Sequence, residues 1–235
     1  MPFSDLGLCT ELLNTITDKG YVEPSSIQSK AIPVVLSQRD LIAIAQTGTG
    51  KTASFSLPIL QRLVDMQRAD AHCVKALIIA PTRELAAQVA ANVATYGRNM
   101  NIRSTAVFGG VRIEPQKYEL EQGVDILIAT PGRLVDLYQQ GAINFDHVEI
   151  LVLDEADRML DLGFIDHIHS IQNLLPKKRQ TLLFSATFSK EIKALAATMV
   201  KTPITIELTT ARDHIENITQ VLHPVDKERK HELLI

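Results

Sequence analysis

The chain has 235 residues, of which 46% are hydrophobic, a length and composition that suit one large α/β domain with a short extra segment. With 24 basic against 27 acidic residues the formal charge is −3, which excludes a globally basic nucleic-acid binder and leaves only a local patch for such a partner. Cys9 and Cys73 have no C-x-x-C spacing, which argues against a zinc site and suits a reducing, cytoplasmic setting; no apolar run approaches the ~18–20 residues that cross a bilayer, and no basic-then-apolar leader opens the chain.

In chain order, residues 1–38 read as helical, with Leu12, Leu13, Ile16 and later Ile32, Val35, Leu36 at helical spacings. Seven short apolar runs follow: "LIAIA" (41–45), "ALIIA" (76–80), "STAVF" (104–108), "DILIAT" (125–130), "EILVLD" (149–154), "TLLFS" (181–185) and "ITIEL" (204–208). Helical stretches lie between most of them, such as 83–96, 133–140 and 190–200. Strands alternating with helices predict a parallel sheet covered on both faces. Ligands of such sheets bind at the carboxyl ends of the strands. Four runs end in "AQTGTGKT", "PTRE", "TPGR" and "DEAD", and a fifth in "SAT", so these residues are expected along one edge. After Leu208 the composition turns polar, then charged, and 209–235 reads as a linker leading into a further unit.

"AQTGTGKT" (45–52) follows a strand and opens a helix. The phosphate-loop pattern is G-x-x-x-x-G-K-[ST]: backbone N–H groups cradle phosphates and the lysine reaches the β and γ positions. Ala45 stands at the first glycine, while Gly48, Gly50, Lys51 and Thr52 fit. The helix beginning near Lys51 adds its dipole, and the Thr52 hydroxyl suits a magnesium ion. Such enzymes hold Mg²⁺ with a second carboxylate at another strand's end. Asp154 fits that role, and Glu155 can orient or deprotonate an attacking water. Asp157 is left without an assignment by this reading.

These residues resemble one family. "DEAD" (154–157) is the motif that names the DEAD-box RNA helicases; "GYVEPSSIQ" (20–28) is similar to their Q motif and "AQTGTGKT" to motif I, which accepts alanine first. "PTRELAAQ" (81–88), "GG" (109–110) and "TPGR" (130–133) resemble their RNA-facing motifs, and "SAT" (185–187) motif III. The resemblance covers residues 1–208 and is nearest the bacterial RhlE branch around "FGGV" and "VEILVLDEADRMLDLGF". Ser25 and Ser26 stand where Thr-Pro is commoner.

The resemblance implies a RecA-like domain (39–208) with a parallel sheet of about seven strands, preceded by a helical segment carrying the Q motif (1–38). It implies ATP and Mg²⁺ as cofactors. Gln28 would read the adenine edge, with Tyr21 and Phe3 near the base; Gln46, Thr47, Gly48, Thr49, Gly50, Lys51 and Thr52 would hold phosphates. Asp154 and Thr52 would serve the metal, partly through water, with Glu155, Asp154 and Lys51 catalytic. Pro81, Thr82, Arg83, Glu84, Gly109, Gly110, Thr130, Pro131, Gly132 and Arg133 would meet the backbone of single-stranded or duplex RNA. Asp157 would meet Ser185, Ala186 and Thr187, coupling nucleotide state to domain closure. The family also has a second RecA-like lobe carrying arginines that reach the γ-phosphate. Neither "HRxGRxxR" nor "ARGxD" occurs in this sequence, and "NITQVLHPV" (217–225) resembles that lobe's first strand. One lobe alone is expected to bind nucleotide and hardly hydrolyse it. No N-K-x-D element supports a GTPase, and no L-S-G-G-Q run an ABC-type ATPase. A DNA translocase shares the backbone chemistry, and a non-catalytic, ATP-gated RNA-binding module is the alternative from another class. Ribosomal or RNA-decay partners are not specified by the sequence.

Overall fold

The computed structural model describes residues 2–64, 73–208, 221 and 225. Nearly all of the expected linker, 209–235, lies outside them. Each of the seven apolar runs forms a strand: β1 (Leu41–Ile44), β2 (Ala76–Ile79), β3 (Ser104–Val107), β4 (Ile126–Ala129), β5 (Ile150–Leu153), β6 (Gln180–Ser185) and β7 (Ile204–Glu207). All pairings are parallel, in the order β3-β4-β2-β5-β6-β1-β7.

The segment before β1 holds a short 3₁₀ turn (Phe3–Leu6) and helices α1 (Thr10–Asp18) and α2 (Ser26–Leu36). Seven more helices follow: α3 (Lys51–Leu63), α4 (Arg83–Tyr96), α5 (Glu114–Glu121), α6 (Pro131–Gln139), α7 (Ala156–Asp161), α8 (Ile165–Leu174) and α9 (Lys190–Met199).

Successive residues of a strand point to opposite faces, and here both faces are covered. On β5, Ile150 and Val152 join one core with α1–α4, while Leu151 and Leu153 join a second core with α6, α8 and α9. This explains why β5 is a continuous apolar run rather than an alternating one. Fully burying each such side chain contributes about 1.5–3 kcal/mol. Phe55 of α3 meets Phe184 of β6 with ring centroids 5.2 Å apart, which seats α3 over the sheet's middle. The outer strands β3 and β7 are only partly buried, as edge strands are.

The strand order sorts the motifs. Those after β1, β5 and β6, three adjacent strands, carry the phosphate loop, "DEAD" and "SAT". Those after β2, β3 and β4, on the other side of β5, carry "PTRE", "GG" and "TPGR". In sequence the second set lies between the phosphate loop and the other two motifs of the first. The carboxyl edge therefore has two halves.

Candidate active site

The phosphate loop leaves β1 and turns sharply into α3. Thr49 Oγ1 donates to the Gln46 carbonyl at 2.7 Å, closing the loop on itself. Gly48 and Gly50 lie at φ +86° and +94°, a region that side chains with a Cβ rarely adopt. Lys51 is the first residue of α3 and only 6% exposed. Its Nζ is buried and has no hydrogen-bond partner. A buried ammonium without an acceptor is costly, so this head group is arranged for an anion. Thr52, one residue on, also lines the cleft.

Gln28 fixes the loop from outside. Its Oε1 accepts from the Ser25 N–H at 2.9 Å, and its Nε2 donates to the Gly50 carbonyl at 3.2 Å. A Cβ added at Gly50 would lie 2.4 Å from Gln28 Nε2, so glycine is needed for space as well as for backbone shape. An amide oxygen has two lone pairs and an amide nitrogen two hydrogens. Gln28 thus keeps one acceptor and one donor valence while it holds the loop, and it lines the same cleft of about 320 Å³ as Tyr21, Gly48, Lys51, Asp154 and Glu155.

Asp154 leaves β5 with its N–H donating to the Ile79 carbonyl at 2.9 Å. Its carboxyl is buried, and Oδ1 has no partner. Burial pushes its pKa up to about 6; the Lys51 charge opposes that, while the charges of Glu155 and Asp157 add to it. Among the described residues no group of three or more His, Cys, Asp or Glu side chains could hold a metal. A cation that needs one carboxylate, one hydroxyl and phosphate oxygens fits better, and the orphaned Asp154 oxygen beside Thr52 suits Mg²⁺ of that kind.

Glu155 has φ +53° and ψ +53°, the left-handed region, at the start of α7. That conformation costs a non-glycine residue of order 1–3 kcal/mol, and it turns the chain so that Asp154 and Glu155 both face the cleft. Asp157 points to β6 instead. Its Oδ2 accepts from the Ala186 N–H at 3.1 Å, the Thr187 N–H at 3.0 Å and Thr187 Oγ1 at 3.1 Å. Ser185 Oγ accepts from the Thr187 N–H at 3.3 Å.

The cleft has a wall that the sequence reading missed. Leu85, Gln88, Asn92 and Tyr96 of α4 line it, and the Tyr96 hydroxyl is 3.4 Å from that of Tyr21. These four recur at helical spacing on one face, a signal present in the sequence but hidden among the helix's apolar contacts.

The other half of the edge is built differently. Thr82 caps α4, its Oγ1 accepting from the Leu85 N–H at 3.2 Å, after the buried Pro81. Arg83 is 57% exposed and pairs with Glu84 at 2.9 Å. Gly110, at φ +79°, lies beside it: an added Cβ would be 3.7 Å from Arg83 Nη1. Gly109 has open space around it. Thr130 is the residue before α6, Pro131 its first residue, and Gly132 follows. The start of α4 and the glycine loop therefore present backbone N–H groups and the Arg83 cation to one open surface, the pattern that suits phosphate oxygens, while the start of α6 adds only the partly exposed Gly132 beside it, Thr130 and Pro131 being buried.

Two side chains clamp the glycine loop. Gln116 of α5 accepts from the Phe108 N–H at 3.1 Å and donates to the carbonyls of Phe108 at 3.3 Å and Arg112 at 3.2 Å. Arg133 Nη2 donates to the Val111 carbonyl at 2.9 Å.

A family model described as DEAD/DEAH box helicase matches residues 25–195. The chain belongs to the DEAD/DEAH box helicase family. It is 40% identical over 233 residues to the DEAD-box ATP-dependent RNA helicase RhpA of Helicobacter pylori, covering 99% of this chain and 46% of RhpA. It is 40% identical over 230 residues to the DEAD-box ATP-dependent RNA helicase CshA of Streptococcus pneumoniae, covering 98% of this chain and 43% of CshA. The chain thus spans a little under half the length of these curated relatives. A crystal structure of a DEAD box protein from the hyperthermophile Methanococcus jannaschii matches with a TM-score of 0.83 and 36% identity, over 100% of this chain and 62% of that one.

Within this DEAD-box domain two of the expected site residues lie elsewhere. Phe3 is 5% exposed and packs in the core beneath the 3₁₀ turn. It does not line the cleft, because burying a phenyl ring among Leu and Ile side chains is more favourable than leaving it over an open site. Arg133 is turned inward: its side chain is 11% exposed, with Nε 3.7 Å from Asp136 and Nη2 on the Val111 carbonyl. It supports the glycine loop instead of presenting a charge to solvent. The other expected residues fall on the two halves of the carboxyl edge.

Proposed function

We propose that this DEAD-box domain is the nucleotide-binding lobe of an ATP-dependent RNA helicase, working by closure onto a second RecA-like lobe. The observation that carries the reading is the pair of buried, unpartnered atoms in one cleft, Lys51 Nζ and Asp154 Oδ1. One waits for an anion and the other for a cation, and a nucleotide with its metal supplies both.

The chemistry follows from where each group stands. The loop N–H groups, the start of α3 and Lys51 bind the phosphates. Thr52 and Asp154 would hold Mg²⁺, which when bound neutralises charge on the β and γ oxygens. Glu155 orients the attacking water and takes its proton. The spare valences of Gln28 match the N6 donor and N7 acceptor of adenine; guanine presents two acceptors there, so ATP is favoured over GTP. Asp157, tied to Ala186 and Thr187, joins the end of β5 to that of β6, so a shift of one moves the other. Arg83, Glu84, Gly109, Gly110 and the start of α6 hold an RNA backbone without reading its sequence. The stretches "FGGV" and "VEILVLDEADRMLDLGF" support an RhlE-type relationship.

The second lobe is supported by the relatives' length and by what the cleft lacks. Among the described residues that line it, Lys51 is the sole cation. An arginine supplied from elsewhere is worth roughly 10³–10⁵ in rate in related phosphate-loop systems. A nucleotide-gated RNA binder without turnover would leave the strained backbone of Glu155 without a use. The test is phosphate release by the 235-residue chain at saturating ATP and RNA. Turnover should be far below the enzyme median of about 10 s⁻¹ and should rise when a second lobe is joined to the chain. Turnover near that median by the chain alone would overturn the two-lobe reading.

A further inference from the structure

The opposite edge of the sheet, where the strands begin, carries a basic groove. Two adjoining cavities of about 320 and 420 Å³ open there and share Lys177, Arg179 and Lys201. Arg62 and Lys178 line the second. Against these five cations the lining holds, among the described residues, two carboxylates, Asp40 and Glu149. Both are engaged: Asp40 accepts from the N–H groups of Thr181 at 2.8 Å and Lys201 at 2.6 Å, and Glu149 pairs with Lys75 at 3.8 Å.

The cationic heads donate to neutral acceptors, while the charge of Glu149 acts on Arg62 and that of Asp40 on Arg179. Lys201 Nζ donates to the Lys177 carbonyl at 2.9 Å, Arg179 to the Pro176 carbonyl at 2.7 Å, and Arg62 to Gln180 Oε1. Nε of both Arg62 and Arg179 is buried without a partner, and burial lowers the pKa of each guanidinium. Helix carboxyl termini attract cations, and α3, α8 and α9 all end at this edge. That accounts for a cation at each helix end. It does not account for Lys177, Lys178 and Arg179 in succession on one loop, converging with Arg62 and Lys201 in a chain whose net charge is −3.

We propose that this groove is a second binding site for the phosphodiester backbone of single-stranded RNA, outside the carboxyl edge. The lining favours a nucleic acid over a protein segment. A protein interface is anchored by aromatic or aliphatic side chains in pockets, and here, among the described residues, the apolar lining is only Leu175 and Met199, with Gln38, Gln172, Asn173 and Gln180 between the cations. Without an aromatic platform the bases are not stacked, so binding is sequence-independent and salt-sensitive. The groove is also remote from the nucleotide. Eleven residue steps along α3 separate Lys51 from Arg62 in its last turn, about 16 Å at 1.5 Å per residue. A long RNA engaged at the carboxyl edge would be retained by this groove while the lobes open.

The proposal rests on the reading of this domain as RNA-binding, and the test separates the two. Affinity of the 235-residue chain is measured by fluorescence anisotropy for oligouridylate of roughly 30 nucleotides and of roughly 8, against the ~4–16 that one such surface covers. The salt series runs from about 50 to 200 mM. The triple variant Lys177→Ala, Lys178→Ala, Lys201→Ala changes only exposed side chains. It should lose about tenfold or more in affinity for the long RNA, and its salt slope should fall by about 2, at ~0.7 per phosphate contact. Affinity for the short RNA and for Mg²⁺-ADP should stay as in the parent. Unchanged long-RNA affinity, or an equal loss for both lengths, overturns the groove. So does binding of polyglutamate that the triple variant abolishes while long-RNA binding persists, which would assign the groove to an acidic protein. Arg83→Ala serves as the control. If it weakens the short RNA while the triple variant leaves the long RNA untouched, only the groove is lost; if the parent binds neither RNA, the RNA reading falls with it.

Discussion

The two halves of the carboxyl edge solve different binding problems with different means. The nucleotide half is desolvated and strained: Lys51 Nζ and Asp154 Oδ1 are buried without hydrogen-bond partners among the described residues, and Glu155, a non-glycine residue, sits at positive φ. The other half is open and relaxed. Arg83 is exposed and paired with Glu84, Thr82 caps its helix, and Gly109 touches nothing. A small polyanion with one metal needs fixed charges in a low-dielectric cleft, where each is worth most. A long backbone read without regard to sequence gains from many weak, solvated contacts. The first half places a cation and an anion without partners in one cleft, against the single buried Nη1 of Arg133 in the second, and substitutions there should act harder.

The largest effect is expected at Glu155. In a protein carrying both lobes, Glu155→Gln keeps the shape but cannot accept a proton, so hydrolysis should fall by about 10²–10⁴ with ATP affinity retained. Single-turnover phosphate release checks this, and a rate near the parent's would assign the base to another residue.

A pair of glycines contrasts the halves directly. Gly50→Ala would set a Cβ 2.4 Å from Gln28 Nε2 at φ +94°, so nucleotide affinity should drop by tenfold or more, for a strain of order 1–3 kcal/mol. Gly109→Ala meets open space and should change stability by no more than about 0.5 kcal/mol. Paired melting and ADP-binding curves would decide; equal costs at the two positions would contradict the contrast.

Asp154 should show that the nucleotide half is held at the expense of stability. Burial raises its folded-state pKa from 3.8 to about 6, so the native state binds the proton more tightly than the unfolded chain. Its contribution is most favourable below about pH 4 and worsens as pH rises to about 6. Without Mg²⁺ or nucleotide, Asp154→Asn should melt several degrees above the parent at pH 8, at about 2–4 °C per kcal/mol for this size. The advantage should shrink towards zero near pH 4. A difference independent of pH in calorimetric scans would refute this origin.

The smallest effect is expected from Arg133→Ala, which releases the Val111 carbonyl. Gln116 still holds Phe108 and Arg112, so short-RNA affinity should fall only a few-fold, with ADP affinity unchanged. A loss as large as that of Arg83→Ala would mean that Arg133 meets RNA itself.

The sequence announced the strands because a parallel strand buried on both faces is mostly apolar, wholly so in β2 and β5. It also announced the edge on which the motifs gather. It did not announce the order of the strands, which arises from packing between distant segments and alone divides the edge. Nor could residue type reveal side-chain direction. Phe3 has the chemistry of a base platform and lies in the core, and Arg133 has the chemistry of a phosphate contact and holds a carbonyl. The left-handed backbone of Glu155 carries no sequence signal, since strain of this kind persists only because surrounding structure enforces it. The wall of α4 was legible in principle, through the spacing of Gln88, Asn92 and Tyr96.

The central claim is that Lys51 is held in the cleft, unpaired, for a phosphate. Calorimetric titration of Mg²⁺-ADP into Lys51→Ala tests it most directly. The substitution removes a buried charge that has no hydrogen-bond partner among the described residues but that favours the charged form of Asp154, so the fold should keep about the parent's stability. Binding should weaken by about 10²-fold or more, the scale of 2–5 kcal/mol for losing one partner of a buried charge pair. Undiminished affinity for Mg²⁺-ADP in a folded Lys51→Ala chain would contradict the account.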